Sequence, residues 1–468
     1  MRYPLIFLAL VFLVACNAYR PLPVADAPPA GWKTHRLPAS PQDTTGDPVA
    51  GFDFLIHGDY IGSGVPVEIM RQAAPRMPKD QPYPRNELNR GIPYFMTAFV
   101  APNGAEVANG NCFTCHAGRV GDQLVVGLGD SFSDYEGSMV NMGRMMRFGM
   151  AVRYSKKKSL QPAAFEDFGN YFKRMAPHVK TTQPGANPAF RLAEACMMHR
   201  DPQTLRYTDE PQYPMWDYNI ATDTPPLWHV KKKNTLYYTG IGRGSMPKLL
   251  LQASVLGTPD SSHSRTSVEH FRDVYAWLRT LEAPAYPRPV DADLARAGRS
   301  LFRVKCAGCH GTYDDAAGHT YPNKVVNLDV VRTDRLYADY IQQSGIVDWY
   351  NSSWFATSHP RSAFVPTRGY VAPPLDGVWA TAPYLHNGSV PTLYELLNSA
   401  ARPDRWTRSG DPTDYDWQKV GWNYDPDPKR KKWTFDTAEP GYGNGGHTFG
   451  DDLDETDRWA LIEYLKTL

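Results

Sequence analysis

Two copies of the pentapeptide Cys-x-x-Cys-His, in "NCFTCHAG" (Asn111–Gly118) and "KCAGCHGT" (Lys305–Thr312), take up four of the six cysteines. Two thiols three positions apart suit a redox dithiol, half of a zinc site or a pair of attachment points for haem. Only the last explains the imidazole that follows each time. One turn of chain presents both sulfurs to the porphyrin vinyl groups as thioethers, and the adjacent His supplies the proximal nitrogen to iron. A zinc site needs a second ligand pair close by, and the sequence offers none. The motifs therefore predict two covalently bound haem c groups (iron), one on Cys112, Cys115 and His116, the other on Cys306, Cys309 and His310. Short helices joined by long ordered loops suit a chain that must wall off large flat cofactors, and 41 Pro and 27 Tyr fit that expectation.

Haem c is attached outside the cytoplasmic membrane, and the first residues predict export. Arg2 precedes the apolar run Leu5 to Val14, too short for a permanent span, and "LVAC" ends it with small residues before Cys16. This resembles a bacterial lipobox, in which the Cys becomes the acylated first residue. Residues 1–15 are then the signal peptide and Cys16 the lipidation site, and several acyl chains on one Cys hold a protein stably at a membrane. Asn17 favours the outer membrane, so the expected location is periplasmic and lipid-anchored. Of the cysteines only Cys196 is left over; between Ala195 and Met197 it reads as a small buried hydrophobe.

A net charge of +1 gives no footprint for nucleic acid and no polybasic patch, so membrane contact is expected through the lipid anchor only. With 42% hydrophobic residues in 468, the chain is long enough for two or three domains with their own cores.

An internal repeat organises the chain. "TPPLWHVKKKNTLYYTG" (Thr224–Gly240) aligns without gaps on "APPLDGVWATAPYLHNG" (Ala372–Gly388). Amphipathic helices end each half: Val268, Phe271, Val274, Tyr275, Leu278 and Leu281 share one face, as do Trp459, Ile462, Leu465 and Leu468. Thr266 with Glu269 is a candidate capping box for the first, and Asp454 a cap for the second. A further helix, with Leu294, Ala297, Leu301 and Phe302 on one face, leads into the second motif; no such helix is evident before the first. The expected fold class is mainly α, two cytochrome c-like haem domains with long ordered loops. The expected division is an N-terminal extension over 16–95, haem domain 1 over 96–285 and haem domain 2 over 286–468.

"WATAPYLHNGSVPTLYELL" (Trp379–Leu397) resembles dihaem c-type cytochromes of the bacterial cytochrome c peroxidase superfamily, which includes the methylamine utilisation maturation enzyme and the rubber oxygenase. The likeness covers the second half well and the first half less. It implies an oxidoreductase of the peroxidase or oxygenase type, in which one haem meets peroxide or oxygen and the other relays electrons with a redox partner protein. Folds of this kind also serve as non-catalytic electron carriers, so that alternative stays open.

Axial ligands divide these roles, since Met raises a haem's potential, His lowers it, and an empty position admits a small molecule. All fourteen Met lie at or before Met246. The second haem must therefore draw on His319, His359, His386 or His447. His319 is too close to His310, and His359 reads as an exposed loop. The resemblance implies His447, in "GYGNGGHTFGDDL" just before the last helix, as sixth ligand, with His386 at the haem edge; His386 as ligand is the alternative. For the first haem no His occurs between His116 and His178. Related enzymes carry one there, so its absence implies an open, reactive iron, unless Met139 or Met246 closes it. Trp228 and Trp379 are candidates for a packed route between the haems, or simply core residues.

Overall fold

The computed structural model describes residues 31–137, 139–155, 159–314, 318–426, 429 and 431–468. Cys16, the expected lipidation site, and the signal peptide expected over 1–15 lie outside the described residues. Two helix pairs frame the chain, and each crosses through a glycine. Asp47 caps the helix Pro48–His57 by accepting from the amides of Val49 and Ala50. That helix lies so tightly on Ser261–Leu278 that a Cβ at Gly51 would sit 2.0 Å from the carbonyl oxygen of Asp273. In the second half Asp291 caps Ala292–Lys305, and a Cβ at Gly298 would sit 1.9 Å from the carbonyl oxygen of Ala460, in the helix Glu455–Leu465. Only glycine permits such an approach of two helix backbones.

The first half thus has its leading helix after all. It stands far ahead of its haem motif because the strands Met96–Val100 and Glu106–Gly110 come between. The apolar stripe foreseen on Ser261–Leu278 is buried, at Val268, Phe271, Val274, Tyr275 and Leu278. Its cap differs from the expected Thr266: the helix starts six residues earlier, and Asp260 accepts from the amides of Ser262 and His263. Asp454 caps the last helix as anticipated.

The expectation of a mainly α protein built from two cytochrome c-like haem domains fails. Helix makes up 38% and strand 14%, with the strands in many small sheets, and among the described residues no pair of cytochrome c haem domains is evident. The reason lies in how the halves interleave. Thr34–Arg36 pairs with Lys324–Asn327, which pairs with Gly369–Val371, and Gly242–Gly244 pairs with Ser362–Phe364. The larger core joins Leu55, Phe113 and Phe271 to Tyr337, Tyr350 and Phe364. The smaller joins Val120, Leu128 and Trp228 to Phe302, Trp379 and Leu461. Strands of two to four residues carry no usable alternation, so pairing between distant segments is invisible to a periodicity argument. Among the described residues no helix is long and apolar enough to cross a membrane.

Candidate haem-binding sites

The second motif sits on the end of a helix. Ala292–Lys305 runs into Cys306, and one further turn, Ala307–His310, brings Cys306, Cys309 and His310 to one wall of a cavity of about 250 Å³. His310 Nδ1 is 2.8 Å from the carbonyl oxygen of Pro373, the first proline of the second Pro-Pro-Leu segment. Donation from Nδ1 fixes the tautomer that leaves Nε2 free as a metal ligand. Apolar side chains line most of the cavity, among them Phe302, Val326, Val371, Leu375, Leu393 and Leu461.

His447 faces His310 in that cavity, with ring centroids 6.3 Å apart. Two imidazoles on opposite sides of one metal stand about 6 Å apart, from two metal–nitrogen bonds of about 2 Å plus about 1 Å to each ring centre. Burial pushes His447 down to about 3 and lowers His310 as well, so both rings are neutral and their lone pairs available. His447 Nδ1 is buried and without a partner. The residues present fit a haem c at this motif: two thiols on a helical turn, a tautomer-fixed proximal imidazole, a second neutral imidazole opposite, and an apolar cleft between them.

His447 is held by its loop. Its backbone φ is +46°, and its N–H donates to the carbonyl of Val331 at 2.7 Å. Gly446 lies so close to the chain leaving the helix Leu328–Val331 that a Cβ there would meet the backbone of Val331, Arg332 and Thr333 at 2.2–2.3 Å. The glycine-rich stretch therefore serves approach to another backbone. Arg402 clamps the loop from the other side, donating to the carbonyls of Asn444, Gly446 and His447 at 2.7, 2.6 and 3.2 Å and to those of Glu395 and Leu396 at 3.0 Å each. Nothing in the sequence marked Arg402, because its partners are all backbone carbonyls. His386 lines the same cavity but stacks on Tyr370, with centroids 3.9 Å apart. His319 is on an exposed strand and His359 is exposed.

The first motif is set differently. Asn111 caps a single 3₁₀ turn, Cys112–Thr114, that follows the strand Glu106–Gly110. His116 is neutral, burial pushing it down to about 4, with the Pro225 backbone as the group favouring its proton. Pro225 is the first proline of the first Pro-Pro-Leu segment, the repeat counterpart of Pro373. The geometry stops short of a full hydrogen bond, so Nδ1 is buried and unpartnered. Around the cysteines stand tyrosines: the Tyr135 hydroxyl is 3.8 Å from Cys115 Sγ, and the buried Tyr60 hydroxyl lies beside the Cys112 thiol. The Tyr171 hydroxyl donates to Met139 Sδ at 3.4 Å. Met246 is buried at the start of Met246–Leu251, its N–H donating to Gln42; no described contact joins it to Cys112, Cys115 or His116. Both motifs run on into hairpins, Ala117–Val120 with Gln123–Val126 and Thr312–Asp314 with Gly318–Thr320.

The repeat brings the two sites together. Leu236 bridges to Gly242 and Tyr384 to Val390, while Tyr237 and Leu385 take φ of +68° and +67° at matching positions. Across the repeat the Asp223 N–H donates to the His386 carbonyl, and its counterpart Val371 N–H donates to the Tyr238 carbonyl, both at 2.7 Å. The equivalent residues Trp228 and Asp376 also touch, the indole N–H donating to the Asp376 carbonyl at 2.8 Å. The Trp379 indole instead donates to the Pro284 carbonyl. Cys196 is buried, as read from the sequence.

The comparisons with known proteins point the same way. A model of RoxA-like, cytochrome c-like domains matches residues 369–407, which include Pro373, His386 and Arg402. Uncharacterized protein y4iM of Sinorhizobium fredii is 29% identical over 307 residues, covering 57% of this chain and 68% of that protein. Uncharacterized protein y4iJ of the same organism is 28% identical over 250 residues, covering 40% of this chain and 41% of that protein. The chain thus carries a RoxA-like, cytochrome c-like segment, and with it the covalently bound haem c that such a segment implies.

Proposed function

We propose that this chain is a dihaem c-type cytochrome of the peroxidase or oxygenase type, exported and held at the periplasmic face of a membrane by lipid on Cys16. When bound, the haem irons supply one-electron redox chemistry and, where a coordination position is free, a site for peroxide or oxygen. Cys306 and Cys309 would hold the second haem, with His310 and His447 supplying imidazole nitrogens to its iron, and a haem so held would suit electron relay at low potential. Cys112, Cys115 and His116 would hold the first, whose iron would supply the reaction with peroxide or oxygen. The observation that carries this reading is the His310–His447 pair, 6.3 Å apart in the cavity that holds both cysteines.

A non-catalytic carrier with two closed irons is the alternative, and it needs Met139 or Met246 on the first iron. Met139 Sδ already accepts from Tyr171, and Met246 has no contact with the motif among the described residues, so the enzyme is preferred. The ferric spectrum tests the choice. One high-spin haem that shifts with cyanide or peroxide beside one indifferent low-spin haem is expected; two low-spin haems indifferent to both would refute it. The redox partner protein, or a small oxidant in its place, acts from the periplasm.

A further inference from the structure

Three lysines stand in a row at 231–233 and meet different fates. Lys231 pairs with Glu282 at 2.6 Å, and Lys232 pairs with Asp376 at 2.6 Å. Lys233 has no carboxylate partner among the described residues and lines the cavity that holds Cys306, Cys309, His310 and His447. It is half-buried, and desolvation pushes its ammonium down to about 8. His229 beside it is depressed in turn, chiefly by burial but also by that ammonium.

An unpaired cation deep in a protein is costly unless something of opposite charge completes it. Haem c carries two propionates on the edge away from its thioether-forming vinyl groups. The other ammonium in the cavity wall, Lys305, directly precedes Cys306 at the thioether edge and pairs with Asp452. We infer that Lys233 is the ion-pair partner of a propionate of the second haem, and that its charge raises that haem's reduction potential. The inference rests on a haem being bound at Cys306 and Cys309. Lys233 acts here as a positioning and tuning residue, since a nearby positive charge favours the ferrous over the ferric iron.

The test uses the full holoprotein. Peptide mass first establishes haem on the Cys306–Cys309 peptide; its absence in the unmutated protein would sink the haem reading itself. With haem present, Lys233→Met should shift the ferric-to-ferrous ratio of the second haem about tenfold toward ferric at a given applied potential, ~59 mV for one electron. Lys233→Arg should keep most of the potential, and Lys231→Met should leave it unchanged. A propionate bending band in the resonance Raman spectrum should move in Lys233→Met and not in Lys231→Met. An unchanged midpoint and band in Lys233→Met overturn the inference while leaving the haem reading intact. If Lys233→Met does not fold, the unmutated protein decides: a propionate band indifferent to D2O has no exchangeable donor beside it, and the inference fails.

Discussion

The two Cys-x-x-Cys-His motifs share a pentapeptide and little else. The second ends a helix and opens into an apolar cavity, with a second imidazole waiting across it. The first is a 3₁₀ turn after a strand, packed among tyrosines, with no second imidazole brought to it among the described contacts. Both keep the same support from behind, a helix pair crossing at a glycine and the first proline of a Pro-Pro-Leu segment facing the proximal His. The motif and its backing are thus repeated while the opposite face differs, and in the proposed reading that difference separates relay from reaction.

The largest effect should come from the shared frame. Gly298→Ala and Gly51→Ala each drive a methyl group into a helix carbonyl, and each should destabilise by about 3 kcal/mol or more in denaturant unfolding. If Gly51→Ala unfolds at the unmutated midpoint, the helix crossing of the first half is not the counterpart of the second.

Next comes the residue that distinguishes the sites. His447→Ala should turn the second haem high-spin and raise its potential, with added imidazole restoring the low-spin spectrum, while the first haem is unaltered. His386→Ala should leave the spin state alone; if it makes the second haem high-spin instead, the axial assignment moves to His386.

Arg402→Ala removes the donors from three carbonyls of the His447 loop and two of the preceding turn. A loss of about 2–3 kcal/mol is expected, with amide exchange faster over 443–448 than elsewhere. Uniform exchange along the chain would deny it a local clamp.

The smallest effect separates the repeat partners Asp223 and Val371. Burial pushes the Asp223 carboxyl up to about 8, against an unfolded value of about 4. Its protonated form therefore supports the fold fully below pH 4, and that support is lost as pH rises toward about 8. Stability should fall between pH 5 and 8, by less than the ~4 kcal/mol limit for one proton, and Asp223→Asn should flatten the slope. Equal slopes in urea titrations of the two proteins would show that Asp223 does not carry it.

Much of the site was legible because it is local. Five residues suffice to name a haem attachment, and the Pro-Pro-Leu repeat needs no tertiary knowledge to align; its backbone angles and bridges then match position by position. The absence of Met beyond Met246 likewise limits the second site to His ligands on residue content alone. The helix Pro48–His57 was missed because its glycine and cap resemble those of Ala292–Lys305 only once the intervening strands are set aside. Arg402 and Lys233 were missed because their roles depend on carbonyls and cavity walls supplied by distant segments.

The sequence by itself determined the two Cys-x-x-Cys-His motifs and the Pro-Pro-Leu repeat, each written in a short run of residues. Only the tertiary structure decided that the halves interleave through short strand pairs, that His447 rather than His386 faces His310, and that of the three lysines Lys233 lines the cavity. Those outcomes depend on contacts between residues far apart in the chain, where packing and desolvation act and local pattern is silent.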